Sequence, residues 1–196
     1  MKRTRPAVTA VAAILLLALG GAATGSAQSD SDRLLAATCS IAQLEIALGP
    51  LVSEKTEQHT AAIILTNIGA RACTLNGYPT LTLTDVRGRV LPFAYGHRGD
   101  QMITAAAPTL VTVDAGRVAF FELNKNTCVG YTNRAARSLH VGLPGAQGTL
   151  TLRLPHYPIL DYCPPGDPGH AIIASPIEAQ LAAAGCRSQR SCRRSD

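Results

Sequence analysis

Tryptophan is absent from this sequence, phenylalanine occurs three times and tyrosine five. A core built on large aromatic rings is excluded, so burial must come from leucine, isoleucine, valine and alanine. Long apolar runs are scarce as well. The one at residues 7–19 is shorter than the ~20 residues a bilayer-spanning helix needs. There is no Gly-x-Ser-x-Gly turn to present a serine nucleophile and no glycine-rich loop to cradle phosphate. The histidines, His59, His97, His140, His156 and His170, never stand four apart as metal ligands on a helix do. Cys39, Cys73, Cys128 and Cys163 lie 34 or more positions apart, so the close Cys-x-x-Cys pairs of a zinc site are missing too.

What is present begins with an export signal. Lys2, Arg3 and Arg5 precede the apolar run, and small residues follow up to Ala27. Gly25 and Ala27 suit the −3 and −1 positions of a signal peptidase site. Residues 1–27 therefore read as a secretory signal peptide and 28–38 as a flexible linker, with secretion to the extracellular space. No paired arginine marks the twin-arginine route. No cysteine follows the apolar run closely enough for lipidation, and Cys39 follows Thr38, a poor residue for that processing.

Export changes the charge balance. Without residues 1–27, 15 basic groups face 13 acidic ones, and without the residues after Cys186 the body holds 11 and 12. The sequence pI near 9.1 therefore belongs to the two ends. A nucleic-acid partner would need basic residues clustered within the domain, and none are. The tail at 186–196, with Arg187, Arg190, Arg193 and Arg194, reads as a basic disordered end. No stable membrane insertion is expected after cleavage, and a monomer is.

The 169 residues left after cleavage suit one domain. Leu44, Ile46 and Leu48 alternate with Glu45 and Ala47 as in a half-buried strand, which Gly49-Pro50 should stop. Residues 52–58 read as a loop and 60–66 as a central strand. Strand patterns follow at 80–85, 90–93, 110–113, 118–124, 138–143 and 149–154, separated by Asn76-Gly77, Arg87-Gly88, Asp114-Ala115-Gly116 and the segment at 144–148. Residues 95–108 show no period and read as a long loop. Many short strands punctuated in this way predict an all-β domain over 39–174, a two-sheet antiparallel sandwich or a barrel. Ser175, Pro176 and Glu178 carry capping signals for a short helix at 175–185, the alternative being an edge strand at 171–174 running on towards Ile177.

In an exported chain the six cysteines, Cys39, Cys73, Cys128, Cys163, Cys186 and Cys192, read as disulfides. Cys39 precedes the first strand and Cys73 follows the second, so antiparallel neighbours bring them together. Cys128 and Cys163 have one strand between them and emerge at the same end. Cys186 and Cys192 remain and would close a small loop. Each long loop so closed adds on the order of 3 to 4 kcal/mol in the chain-entropy model.

Thr66-Asn67-Ile68-Gly69, followed by Cys73-Thr74-Leu75-Asn76-Gly77-Tyr78-Pro79, resembles the "T-N-x-G…C-x-L-x-G-Y-P" signature of a secreted actinobacterial family, the domain-of-unknown-function family four-two-three-two. Asp85 with Gly88, the turn at Asp114, Cys128 and Cys163 fall where that family places comparable features. The match covers about residues 39–174 and is densest around Cys73. Ala115 stands where the family typically has proline. The resemblance implies an immunoglobulin-like β-sandwich with no assigned activity, and it carries no catalytic residues. In physical terms Asn67, Gly69 and Asn76-Gly77 supply the backbone freedom of tight turns. Tyr78 is expected to pack on a sheet edge, and the Tyr78–Pro79 bond is a candidate for cis.

The expected function is a non-enzymatic extracellular module that binds a cell-envelope or extracellular partner through loops at one end of the sandwich. No cofactor, metal or catalytic residue is assigned. The alternative is a secreted hydrolase or metal-binding enzyme with a site near His97, Asp100, His156 and Asp161. A third reading is a structural or stress-related envelope protein with no specific ligand. Arg98-Gly99-Asp100 spells an adhesion tripeptide, but an exposed polar loop produces such a match by chance.

Overall fold

The computed structural model describes residues 36–53, 57–129, 134–155 and 160–180. The signal segment, most of the linker, His156, residues 181–185, Cys186, Cys192 and the basic tail lie outside the described residues. In chain order the strands are β1 (Leu44–Ser53), β2 (Gln58–Asn67), β3 (Cys73–Leu75), β4 (Thr80–Thr84), β5 (Val90–Leu91), β6 (Ala94–Gly96), β7 (Val111–Val113), β8 (Val118–Asn126), β9 (Ser138–Gly142), β10 (Leu150–Arg153) and β11 (Ala171–Ala174). They form a five-stranded sheet in the order β1-β2-β8-β11-β6, a four-stranded sheet in the order β10-β9-β4-β5, and the pair β3-β7. All pairings are antiparallel except β11 with β6. The domain is all-β and its sheets do not close into a barrel.

Strand alternation explains which residues meet between the sheets. In β2 and β8, Ala61, Ile63 and Leu65 lie opposite Leu123, Phe121 and Ala119. All six are fully buried, and they share one hydrophobic cluster with Leu83 of β4 and Leu139 and Val141 of β9. Phe121 is the one ring among these residues, Phe93 and Tyr162 add two more to the same cluster, and aliphatic side chains fill the rest of it.

Cys39 is joined to Cys73 and Cys128 to Cys163, with Cα atoms 4.8 and 5.5 Å apart. This is the pairing that strand order suggests. The first bridge ties the segment before β1 to β3, where Cys39 N also donates to Thr74 O at 2.9 Å. The second ties the end of β8 to the chain just before β11.

Four local expectations need correction or refinement. Gly49-Pro50 does not end the first strand; β1 continues to Ser53 through a bulge between Leu48 and Leu51. β1 is an edge strand, where proline's missing N–H can face away from the ladder. The segment at 95–108 is not all loop, because β6 pairs in parallel with β11, a contact too short and too distant in sequence to leave a period. The described part of the expected helix is extended: Ser175 N donates to Glu122 O, and Phe120 and Glu178 exchange both backbone hydrogen bonds. The Ser175 hydroxyl accepts from Glu122 N and donates to Pro176 O instead of capping a helix. The described backbone contains no cis peptide bond, so Tyr78–Pro79 is trans.

The turn at Asn76-Gly77 also anchors this C-terminal strap. Gly77 O accepts from Ile177 N at 2.9 Å, and Ile177 is fully buried. Gly77 has φ +122°, and an added Cβ would stand 3.1 Å from Pro144 Cγ. Gly77→Ala is expected to lower the unfolding free energy by about 1–2 kcal/mol, measured in urea under oxidising conditions.

Candidate functional site

The polar chemistry of the molecule gathers at the end of β8. Successive strand residues point to opposite faces, and β8 finishes with Glu122, Leu123, Asn124, Lys125 and Asn126. Glu122 and Asn124 therefore face outward from the five-stranded sheet. Lys125 lies on the inward side, in line with Phe121 and Leu123.

On the outer side, Asn124 is 2% exposed and organises its neighbours. Its Oδ1 accepts from the Thr60 hydroxyl at 3.2 Å. Its Nδ2 donates to Asp100 Oδ2 at 2.7 Å and to Gln58 Oε1 at 3.5 Å. The other Asp100 oxygen accepts from Met102 N and Ile103 N, each at 2.8 Å, which folds the loop back onto the sheet. A cleft of about 150 Å³ opens here, lined by Gln58, Arg98, Asp100, Asn124, Lys125, Asn126 and, on its apolar side, Ile173. Side-chain amides, one guanidinium and one carboxylate against an aliphatic wall can hold a small polar group by hydrogen bonds. The Arg98-Gly99-Asp100 tripeptide forms part of this wall, with both Asp100 oxygens already engaged inside the fold.

On the inner side, Lys125 is 2% exposed. Its Nζ donates to Asn126 O at 2.7 Å and sits 3.3 Å from Cys163 Sγ. Burial pulls the amine down to about 8, while the charges of Asp167 and Asp161 act in the opposite direction. Asp161 accepts from Ala136 N at 3.2 Å, and Asp167 accepts from Gly169 N and Val129 N at 2.8 and 3.0 Å. His170 Nδ1 lies 3.0 Å from Cys163 O, so this ring nitrogen carries the proton. His59 Nε2 lies 2.6 Å from Thr127 Oγ1, and burial followed by the charge of Lys125 holds its pKa below the usual histidine value.

Glu122 is the third unusual group. It is 4% exposed, on the part of β8 whose backbone pairs with the strap at 175–178. Burial, then the nearby charge of Glu178, pushes its carboxyl up to about 7.

These positions separate the residues considered for acid–base or metal chemistry. His97 stacks on Tyr78 with ring centroids 4.2 Å apart, and its Nδ1 lies 3.4 Å from Ala174 O. Asp100 belongs to the same loop and borders the cleft. Asp161 lies on the other face of β8, with Lys125 and the second bridge, and His156 is outside the described residues. The described residues contain no group of three metal-binding side chains. Gln58, Asn124 and Lys125 escaped the sequence reading. The one local hint was the polar run from Glu122 to Asn126, interrupted only by Leu123, inside a strand that also carries Phe120 and Phe121.

No helix of the described residues is long and apolar enough to cross a membrane. Residues 39–177 match the model of a family described as "Domain of unknown function (DUF4232)". No curated protein matches the chain, and no solved structure does.

Proposed function

Because the chain belongs to the DUF4232 family, whose description assigns no activity, we propose a function from the molecule's own geometry: an exported, non-enzymatic binding module that engages a cell-envelope component through the cleft at the end of β8. In this reading the sandwich is immunoglobulin-like and its loops carry recognition. Two closed bridges suit an oxidising compartment outside the cytoplasm.

The observation that carries the reading is the cleft between Arg98, Asp100 and Asn124, roofed by a loop that the Asp100 carboxylate holds in place. Its lining favours a hydroxyl- and amide-bearing ligand over an apolar one. The non-enzymatic part is supported by the engagement of both Asp100 oxygens and by the distribution of Asp100 and Asp161 over opposite faces of one strand.

The test is co-sedimentation of the full chain with purified insoluble cell-wall material. Wild-type protein is expected to bind. Arg98→Ala removes an exposed side chain from the cleft wall, so it should weaken binding at least tenfold while leaving the urea midpoint unchanged. Absence of wild-type binding, or an unaffected variant, overturns the reading.

A further inference from the structure

The two bridges differ in their surroundings. Cys39 and Cys73 are each 1% exposed and belong to the hydrophobic cluster. Cys163 is fully buried, whereas Cys128 is half-buried, so the second bridge is more accessible from its Cys128 end. Lys125 Nζ stands 3.3 Å from the inner sulfur and 3.9 Å from the outer one. The backbone at Gly169 closes over them: a Cβ there would collide with Cys163 Sγ and come within 2.9 Å of Lys125 Nζ. A cation held this close to one sulfur of a disulfide, and shielded from water, favours negative charge on that sulfur.

We propose that Cys128–Cys163 is a thiol–disulfide exchange site, with Cys128 the sulfur attacked and Lys125 the group that receives the departing Cys163 thiolate. The reductant is a dithiol. Its first thiolate forms a new sulfur–sulfur bond to Cys128, the old bond breaks, and its electron pair stays on Cys163. The dithiol's second thiolate then attacks its partner sulfur in the mixed disulfide and expels Cys128 as a thiolate. Two electrons pass to the protein and the dithiol leaves as a disulfide. Reversal reoxidises the site. An ammonium beside Cys163 makes it the better leaving group and stabilises the reduced form, which also makes this bridge the more oxidising of the two. The acidic groups facing the site are Asp161 and Asp167, whose charges help retain the proton on Lys125, and the imidazoles of His59 and His170 stand at its margins.

The experiment treats the oxidised full chain with dithiothreitol, quenches with acid, alkylates, and reads each cysteine by peptide mass spectrometry. Cys128–Cys163 should open at least tenfold faster than Cys39–Cys73. With glutathione as the probe, the trapped adduct should sit on Cys128. Lys125→Met should slow the opening of Cys128–Cys163 at least tenfold and lower its equilibrium constant with dithiothreitol. A variant that is merely less stable would open faster, so the direction of change separates exchange chemistry from a structural role. Equal opening of the two bridges, glutathione on Cys163, or a Lys125→Met variant as fast as wild type or faster overturns the proposal. The two wild-type measurements decide the matter if the variant does not fold.

Discussion

Replacing Asn67 with alanine is expected to lower the unfolding free energy by about 4 kcal/mol, a large share of the ~5–15 kcal/mol that such domains possess. Asn67 is fully buried at the end of β2. Its Nδ2 donates to Arg71 O and Val113 O, each at 2.8 Å, and its Oδ1 accepts from Gly69 N at 2.9 Å. One side chain thus serves three backbone groups, two in the turn after β2 and one in β7. Its own backbone completes the junction through Arg117 O and Gly116 N. Alanine leaves all three groups without that partner, at a cost of ~1–3 kcal/mol each before water regains access to the outer ones. Asn67→Asp should be at least as damaging at pH 7, because it turns a carboxylate oxygen towards two carbonyl oxygens. Urea unfolding of the oxidised proteins measures both. A loss under ~1 kcal/mol for alanine would mean that the backbone alone holds the junction.

Glu122→Gln is expected to stabilise the protein by about 3 kcal/mol at pH 8 and to leave it nearly unchanged at pH 4.5. The sign follows from proton counts. The folded carboxyl titrates at about 7 against 4.5 for the free group, so between those values the folded state holds a proton that the unfolded state has released. The contribution of Glu122 to stability therefore falls as pH rises from 4.5 to 7 and levels off above, whereas glutamine has no charge to bury. Two other groups work the opposite way. Lys125 titrates at about 8 in the fold against 10.5 when free, so its contribution to stability rises with pH above 8. His59, held below 6.5 by burial and then by the charge of Lys125, adds a rise near that value. Both are common to the two proteins, so the difference between wild type and variant isolates Glu122. Urea curves at half-unit steps from pH 4.5 to 8.5 test it, and a pH-independent difference would refute the assignment of the slope to this carboxyl.

Asn67 and Glu122 illustrate two degrees of legibility. Asn67 stands in a Thr-Asn-x-Gly turn, and turn chemistry is local, so its place after a strand was readable from neighbours in the chain. Its bond to Val113 O spans 46 positions and was not. Glu122 offered no local signal at all, since a glutamate within a strand normally points to solvent. The strap at 175–178 pairs with the β8 backbone beside it, and that strap also ran against its own capping signals: Ser175 had a backbone amide on β8 to bond, and Ile177 a buried site to fill. The cleft is of the same kind, because Gln58, Arg98 and Asn124 come from three separated segments.

The strand-rich pattern and most turns were legible in the sequence, and strand order suggested the partners of Cys39 and Cys128 that the structure shows. Each of these follows from side-chain alternation, backbone conformation or the order of antiparallel neighbours, which act over a few residues or between adjacent strands. It took the packed molecule to show that Gly49-Pro50 is a bulge, that Ala94–Gly96 and Ala171–Ala174 pair in parallel, that residues 175–178 stay extended, and that an amine lies against the Cys163 sulfur. Those outcomes rest on burial and hydrogen bonding between distant segments, and such contacts leave no period in the chain that makes them.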